Sequence, residues 1–326
     1  MTMATAERSN PNLADQCSYA QTPSLTARRL SAHRQLPGFA SKSPMPTLYV
    51  SDLDGTLLTP TATLSNYTRD TLNRLLASGL PFTVATSRSI SSVGPIFQGV
   101  SLPLPVIELN GAYITDLATG EHLIVNDIAI DLAAEILALA QSHGIKPLIS
   151  SYNGQDDHVY FTTDVNPGIQ WYIDDAEANE DGRWSCRGDL TEIFDEQVMR
   201  FTLIDTQARL TVLAQALKQH FPERLDMHLF ENLYQPDWYW LTLQDKSATK
   251  ANGIRELQML HELQDHNLTV FGDHNNDISM FQLADVAVAT ANATSELQRH
   301  ATEIIGHHGE DSVVKYLESR WSMVNV

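Results

Sequence analysis

Cysteine is nearly absent from this sequence. Cys17 and Cys186 are the only two in 326 residues, too far apart to suggest a disulfide framework or a zinc-binding spacing. A reducing, cytoplasmic setting is the default expectation. Positive charge is scarce as well: Lys and Arg number 21 against 40 Asp and Glu, for a formal net charge of -19. Such a balance argues against a nucleic-acid backbone or an anionic membrane as partner. No uninterrupted apolar run is long enough to span a bilayer. The acidity also sets a condition. An anionic ligand can bind only where local positive charge or a cation offsets the surrounding field.

What is present suits a soluble chain of one large or two medium domains, with 43% hydrophobic and 19% charged residues. Residues 1–44 stand apart. They hold Arg8, Arg28, Arg29, Arg34 and Lys42 against Glu7 and Asp15, and sustain no apolar periodicity. They read as a disordered or leader-like extension ahead of Met45. Their Arg- and Ser-rich, acid-poor composition is also that of an organelle-targeting segment.

A regular pattern begins at Thr47. Residues 47–51 form a short β-type run that ends directly at Asp52. Leu72, Leu75 and Leu76 mark one helical face that should stop at Gly79. Residues 81–85 read as a second buried strand ending at Thr86-Ser87-Arg88, and residues 105–109 as a third ending at Asn110-Gly111. This alternation predicts a parallel sheet flanked by helices, with ligands at the carboxyl ends of its strands. From 126 to 234 the pattern changes to helices (128–142, 207–220) mixed with strand-like pieces (146–152, 158–163, 197–204), read as an inserted α+β module. The acidic stretch from Asp174 to Asp181 reads as solvated surface. The first pattern returns with the stripe Ile254, Leu257, Leu260 and Leu263 after Lys250. Strands at 268–271 and 286–288 and an edge strand at 303–305 follow. The expected organisation is an extension (1–44), a discontinuous core (45–125 and 235–326) and a cap (126–234).

Polar residues gather at these strand ends. Asp52 and Asp54 stand two apart, and Gly55-Thr56 lets the chain turn at once so that both carboxylates can approach one site. Their repulsion calls for a divalent cation, and oxygen-only ligands favour Mg²⁺. Asp273 and Asp277, four apart at the start of a helix, add further oxygens. A carboxylate can attack phosphorus while its neighbour handles the proton. Thr86, the backbone amides after Ser87, Asn276 and Lys250 could surround a phosphoryl group. Taken singly, Asp52–Thr56 could be a capped turn, residues 272–277 a calcium-like loop or helix start, and Lys246 competes with Lys250.

Together, Asp52-Leu53-Asp54-Gly55-Thr56, Thr86-Ser87-Arg88, Lys250 and Gly272-Asp273-His274-Asn275-Asn276-Asp277 resemble the four motifs of the haloacid dehalogenase-like (HAD) hydrolases. The long gap before Lys250 is similar to that of the Cof-type subfamily. Asn110-Gly111-Ala112 and the segment 284–293 add to the likeness, which covers Met45 to about Leu317. The resemblance implies a Rossmann-like parallel-sheet core with an inserted α+β cap domain of type IIB. It also implies a Mg²⁺-dependent phosphatase acting on a small phosphorylated metabolite through an aspartyl-phosphate. By it, Asp52 is the nucleophile and Asp54 the general acid/base. Asp52, the Asp54 backbone carbonyl and Asp273 hold Mg²⁺, while Thr86, Ser87, Lys250 and Asn276 bind the phosphoryl group. Asp277 and Asn110 support the site. Ser87 and Ala251 stand where the family commonly has glycine, and His274 where it has a small residue. A phosphotransferase or phosphomutase on the same scaffold, or a silent phosphometabolite-binding protein, are the alternatives. A monomer or homodimer is expected. Lys146, His158, Arg183, Arg187, Arg200 and His228 are the cap's basic candidates for specificity, and Trp238, Tyr239 and Trp240 read as packing.

Overall fold

Strand Thr47–Ser51 shows why the core forms. Its side chains alternate: Leu48 and Val50 pack on one side of the sheet with Ile254 and Leu257, and Tyr49 packs on the other with Leu72 and Phe271. Alternation of this kind, apolar on both faces, requires cover on both. A computed structural model describes residues 45–232 and 235–324; the expected N-terminal extension, 1–44, lies outside the described residues. A five-stranded sheet runs in the order Glu303–Ile304, Val286–Ala289, Asn267–Gly272, Thr47–Ser51, Phe82–Val84, all parallel. Helices Asn66–Ala77 and Ser312–Val324 pack together on the Tyr49 side, while Lys250–Leu260 and Ile278–Leu283 pack together on the other. The fold is thus a parallel-sheet α/β core with an inserted α+β module.

Two expected elements differ in detail. Val106–Glu108 is a buried strand, but its ladder is antiparallel to Tyr113–Thr115, which pairs in turn with His122–Val125. It touches the parallel sheet through one bridge, Ala85 to Ile107, and through Thr83 Oγ1 donating to the Pro105 carbonyl at 2.5 Å. The apolar stripe after Lys250 also ends early. The helix stops at Leu260, so Leu260 is exposed and Leu263 lies beyond its last turn.

The inserted module is a six-stranded sheet ordered Leu225–Glu231, Tyr239–Asp245, Gln197–Asp205, Pro147–Tyr152, Asp157–Phe161, Trp184–Cys186. Helices Ile130–Ser142 and Gln207–His220 cover one face, burying Leu132, Ile136, Leu213 and Leu217 against Phe201 and Leu203. Helix Pro167–Ala178 packs against the sheet with Ile169 and Ile173, and its acidic end presents Asp174, Asp175 and Glu177 to solvent. Strand Tyr239–Asp245 lies past residue 234 yet pairs on both sides within this sheet. Trp238 and Trp240 pack with Ile169 and Tyr172, the latter ring 4.6 Å from that of Trp240. No helix among the described residues is long and apolar enough to cross a membrane.

Candidate active site

The chain leaves its first strand at Asp52 and bends through one wide helical turn, Leu53–Leu57, closed by the Leu58 N–H on the Leu53 carbonyl at 2.9 Å. Leu53 and Leu57 are buried, which fixes the turn in the core. Gly55 makes the turn possible: its φ is +72°, and a Cβ there would lie 2.2 Å from Asp273 Oδ2. The Gly55 carbonyl accepts from Asn292 Nδ2 at 2.8 Å and Thr290 Oγ1 at 3.2 Å. The last strand loops therefore hold the first one's turn.

Asp52, Asp273 and Asp277 each offer a carboxylate oxygen within 4.8 Å of the others. Lys250 enters between them from the first turn of its helix. Its Nζ donates to Asp52 Oδ1 at 2.6 Å and to Asp277 Oδ1 at 2.7 Å, with no side-chain surface exposed. Asp277, also wholly buried, accepts the backbone N–H groups of Asp273 and His274 at 3.0 Å each. It is the clamp of its loop. Asp273 Oδ1 accepts from Thr56 Oγ1 at 3.1 Å.

Three carboxylates share one ammonium, and the electrostatics follow. Burial pushes the Asp52 carboxyl well above its usual range; Lys250 opposes this, and the charges of Asp277 and Asp273 add to it. Asp273 is pushed up to about 7 by burial and then by Asp277. Burial pulls the Lys250 ammonium down, but Asp277 and Asp52 more than offset that and hold it above its ordinary value. If all are ionised, this group lacks two positive charges. An all-oxygen donor set with that deficit suits a hard divalent cation such as Mg²⁺. Asp52 and Asp273 could each offer it an oxygen, whereas Asp277 is occupied by Lys250 and two amides.

Thr86 lies at the end of the second strand, fully buried, and its Oγ1 accepts the Arg88 N–H at 3.1 Å. Its backbone N–H donates to Ile107 and its carbonyl accepts from Asn110, 2.8 Å each. Asn110 Oδ1 in turn accepts from Asn276 Nδ2 at 3.2 Å. Gly111 passes so close to the start of the Lys250 helix that a Cβ would stand 2.4 Å from the Thr249 carbonyl. Asn110-Gly111 thus seats the lysine. The Ser87 carbonyl accepts from Arg200 Nη1 at 3.0 Å, while Arg200 also grips Gln244.

Asp54 is placed differently from Asp52. Its carboxylate, 46% exposed, forms two 2.7 Å bonds to Arg88 Nε and Nη2 and is not among the three clustered carboxylates. His274 is exposed. Of the basic cap residues, Arg200 and His228 reach the core side. Arg183 pairs with Asp181, His158 with Glu196, Lys146 with Asp164, and Arg187 stacks on Tyr160. Thr290, Asn292 and Gln244 hold the site without having been singled out for it. Their cue was weak: Asn292 lay in the tail likeness, but nothing local shows a side chain bonding a turn 237 residues away.

A cavity of about 280 Å³ opens beside Lys250 and Asn276, lined also by Asn110, Asp226, His228 and Gln282. It lies between the inserted sheet and the core. Residues 49–317 match the family model described as haloacid dehalogenase-like hydrolase. A 5-amino-6-(5-phospho-D-ribitylamino)uracil phosphatase of Bacillus subtilis is 23% identical, covering 85% of this chain and 98% of its own length. A pyridoxal phosphate phosphatase of Escherichia coli is 25% identical over 82% and 96%. Among solved structures, a haloacid dehalogenase-like hydrolase from Bacteroides thetaiotaomicron superposes with a TM-score of 0.68 at 21% identity, over 84% of this chain and 99% of that one. The strand-end carboxylates, the buried lysine and a match spanning most of the chain place this protein in the haloacid dehalogenase-like hydrolases.

Proposed function

We propose that this chain is a Mg²⁺-dependent phosphomonoesterase whose nucleophile is Asp52. The observation that carries the reading is the buried pairing of Asp52 with Lys250 and Asp277, beside Asp273, at the carboxyl ends of parallel strands. Lys250 holds Asp52 Oδ1 and keeps the carboxylate oriented, leaving its other oxygen to attack phosphorus. A bound Mg²⁺ supplies positive charge to the phosphoryl oxygens and offsets the carboxylates. Thr86, the amides after Ser87 and Asn276 donate to the phosphoryl oxygens as charge spreads over them.

As the bond from Asp52 to phosphorus forms, the bond to the leaving oxygen breaks, and Asp54 in its acid form gives that oxygen a proton. Asp54, now a carboxylate, takes a proton from water, which attacks the aspartyl-phosphate and frees phosphate and Asp52. For both steps Asp54 must turn away from Arg88, to which it is bonded on the rim. Residues 126–245 act as the cap, and the 280 Å³ cavity beneath it takes the leaving group. Its size and the polar residues around it, Asn110, Asp226, His228 and Asn276 among them, fit a small phosphorylated metabolite, the class to which the named substrates of the two curated relatives belong.

Phosphate release from a panel of phosphomonoesters tests this, with Mg²⁺ and with chelator. Release should depend on the cation and vanish in Asp52→Asn. Activity that survives either treatment would sink the reading.

A further inference from the structure

Glu108 ends its strand with none of its surface exposed. One carboxylate oxygen, Oε2, accepts the backbone N–H of Ile90, the first residue of the helix that follows Thr86-Ser87-Arg88-Ser89. The other, Oε1, accepts from Thr115 Oγ1 at 2.5 Å. Thr115 Oγ1 lies 2.7 Å from His122 Nδ1, and His122 Nε2 lies 3.2 Å from both oxygens of Asp157. Tyr113 lies flat on the His122 ring, 3.9 Å between centroids, and donates its hydroxyl to Asp157 Oδ1 at 2.9 Å. Asp157 opens a strand of the inserted sheet. The row therefore runs from the helix behind the phosphate loop to the inserted module, and the His122 side chain at its middle is only 4% exposed.

Hydrogens can be counted along this row. Three contacts need one each: Glu108 to Thr115, Thr115 to His122, and His122 to Asp157. The threonine hydroxyl supplies one and a neutral imidazole a second. The third requires an added proton. Placed on the imidazole, it lets both ring nitrogens donate. Placed on Glu108, it passes through the threonine hydroxyl, which then donates to Nδ1 and leaves Nε2–H for Asp157. The two arrangements differ only by a shift along the row. With neither, one contact goes without its hydrogen: either the Nε2 lone pair faces the Asp157 carboxylate, or the threonine oxygen faces Glu108 with no proton between them.

We propose that Glu108 is a positioning residue that shares one buried proton with His122, and that this proton fastens the helix of the phosphate loop to the cap. The proposal rests on the phosphatase reading for its effect on catalysis. The surroundings favour holding the proton. Burial pushes Glu108 up to about 7, with the Asp157 charge in the same direction and Thr115, His122 and the Ile90 amide against it. The Arg200 guanidinium and Tyr113 hydroxyl also face this pocket. As pH rises and the proton leaves, one contact of the row fails, the loop helix loses its tie to the cap, and turnover falls.

Glu108→Gln replaces the shared proton with a covalent one. Its amide oxygen accepts from Ile90 while its NH₂ donates to Thr115 at every pH. With p-nitrophenyl phosphate and Mg²⁺, the drop in kcat between about pH 6 and pH 9 should be at least ~3-fold smaller in the variant than in the wild type. Superimposable profiles would overturn the proposal. Nitrogen-15 NMR of the wild-type His122 ring reads the same proton without catalysis and without a variant. Nε2 should carry a proton at about pH 6, because both arrangements of the shared proton place one there. A bare Nε2 at that pH overturns the proposal whether or not the protein hydrolyses phosphate esters.

Discussion

Replacing Lys250 with methionine isolates the contribution of the buried ammonium. The change keeps most of the side-chain volume and leaves Asp52 and Asp277, 8% and 0% exposed, facing each other without their cation. Removing one partner of a buried ion pair costs about 3–5 kcal/mol. Both carboxylates are far too buried for solvent screening to reduce that much. In a chain of this size about 2 °C of Tm goes with each kcal/mol, so the variant should melt roughly 6–10 °C lower at about pH 8. The penalty belongs to ionised carboxylates. Burial already holds Asp52 above its usual range with Lys250 present, and losing Lys250 raises it further. As pH falls, the folded variant therefore takes up protons before the folded parent does. Its relative stability rises, and the Tm gap narrows toward about pH 5. Mg²⁺ should restore part of the loss at high pH, because it binds the folded carboxylates alone. Differential scanning fluorimetry at both pH values, with chelator and with MgCl₂, reads all three effects. Equal melting at high pH, or a gap that ignores pH, would refute the idea that Lys250 makes this cluster tolerable.

Gly55→Ala combines an unfavourable φ with a Cβ driven onto Asp273. It should cost roughly 1–3 kcal/mol in thermal melts and weaken Mg²⁺ activation, measured as a higher metal concentration for half-maximal rate. Asp54→Asn should hardly move Tm, because an exposed pair adds at most about 1 kcal/mol. Its kcat should nevertheless fall ~10²–10⁴-fold if Asp54 handles the proton. Arg200→Met leaves the Ser87 carbonyl and Gln244 without their donor. A loss of about 1–3 kcal/mol should follow, and KM should rise more than kcat falls. Steady-state kinetics beside a melting curve checks each variant.

The site was legible where chemistry and local structure coincide. A β-type run ending in Asp, Thr or Gly-Asp announces a strand end, and Asp52, Thr86 and Asp273 all stand at one. The helix at Gln207–His220 and the strand from Gln197 could likewise be read from periodicity. Pairing partners could not. Val106–Glu108 looks like any buried strand, and only the fold shows that its ladder is antiparallel to Tyr113–Thr115. Strand Tyr239–Asp245 sits next to the core in sequence, yet its hydrogen bonds belong to the inserted sheet. Side-chain direction was also hidden. The spacing of Asp52 and Asp54 suggested a shared site, but the φ of Gly55 and the reach of Arg88 turn Asp54 to the rim. Glu108 passed unremarked in the sequence because a lone glutamate ending a strand carries no local signal of burial.

The claim that matters most is that Asp52 becomes phosphorylated. Quenching the protein during turnover with Mg²⁺ and a phosphomonoester, then reducing it with borohydride, converts an aspartyl-phosphate to homoserine. Peptide mass spectrometry should find homoserine at position 52, only when substrate and metal are both present. Homoserine at Asp54 or Asp273 instead, or none at any position while phosphate is being released, would contradict the account.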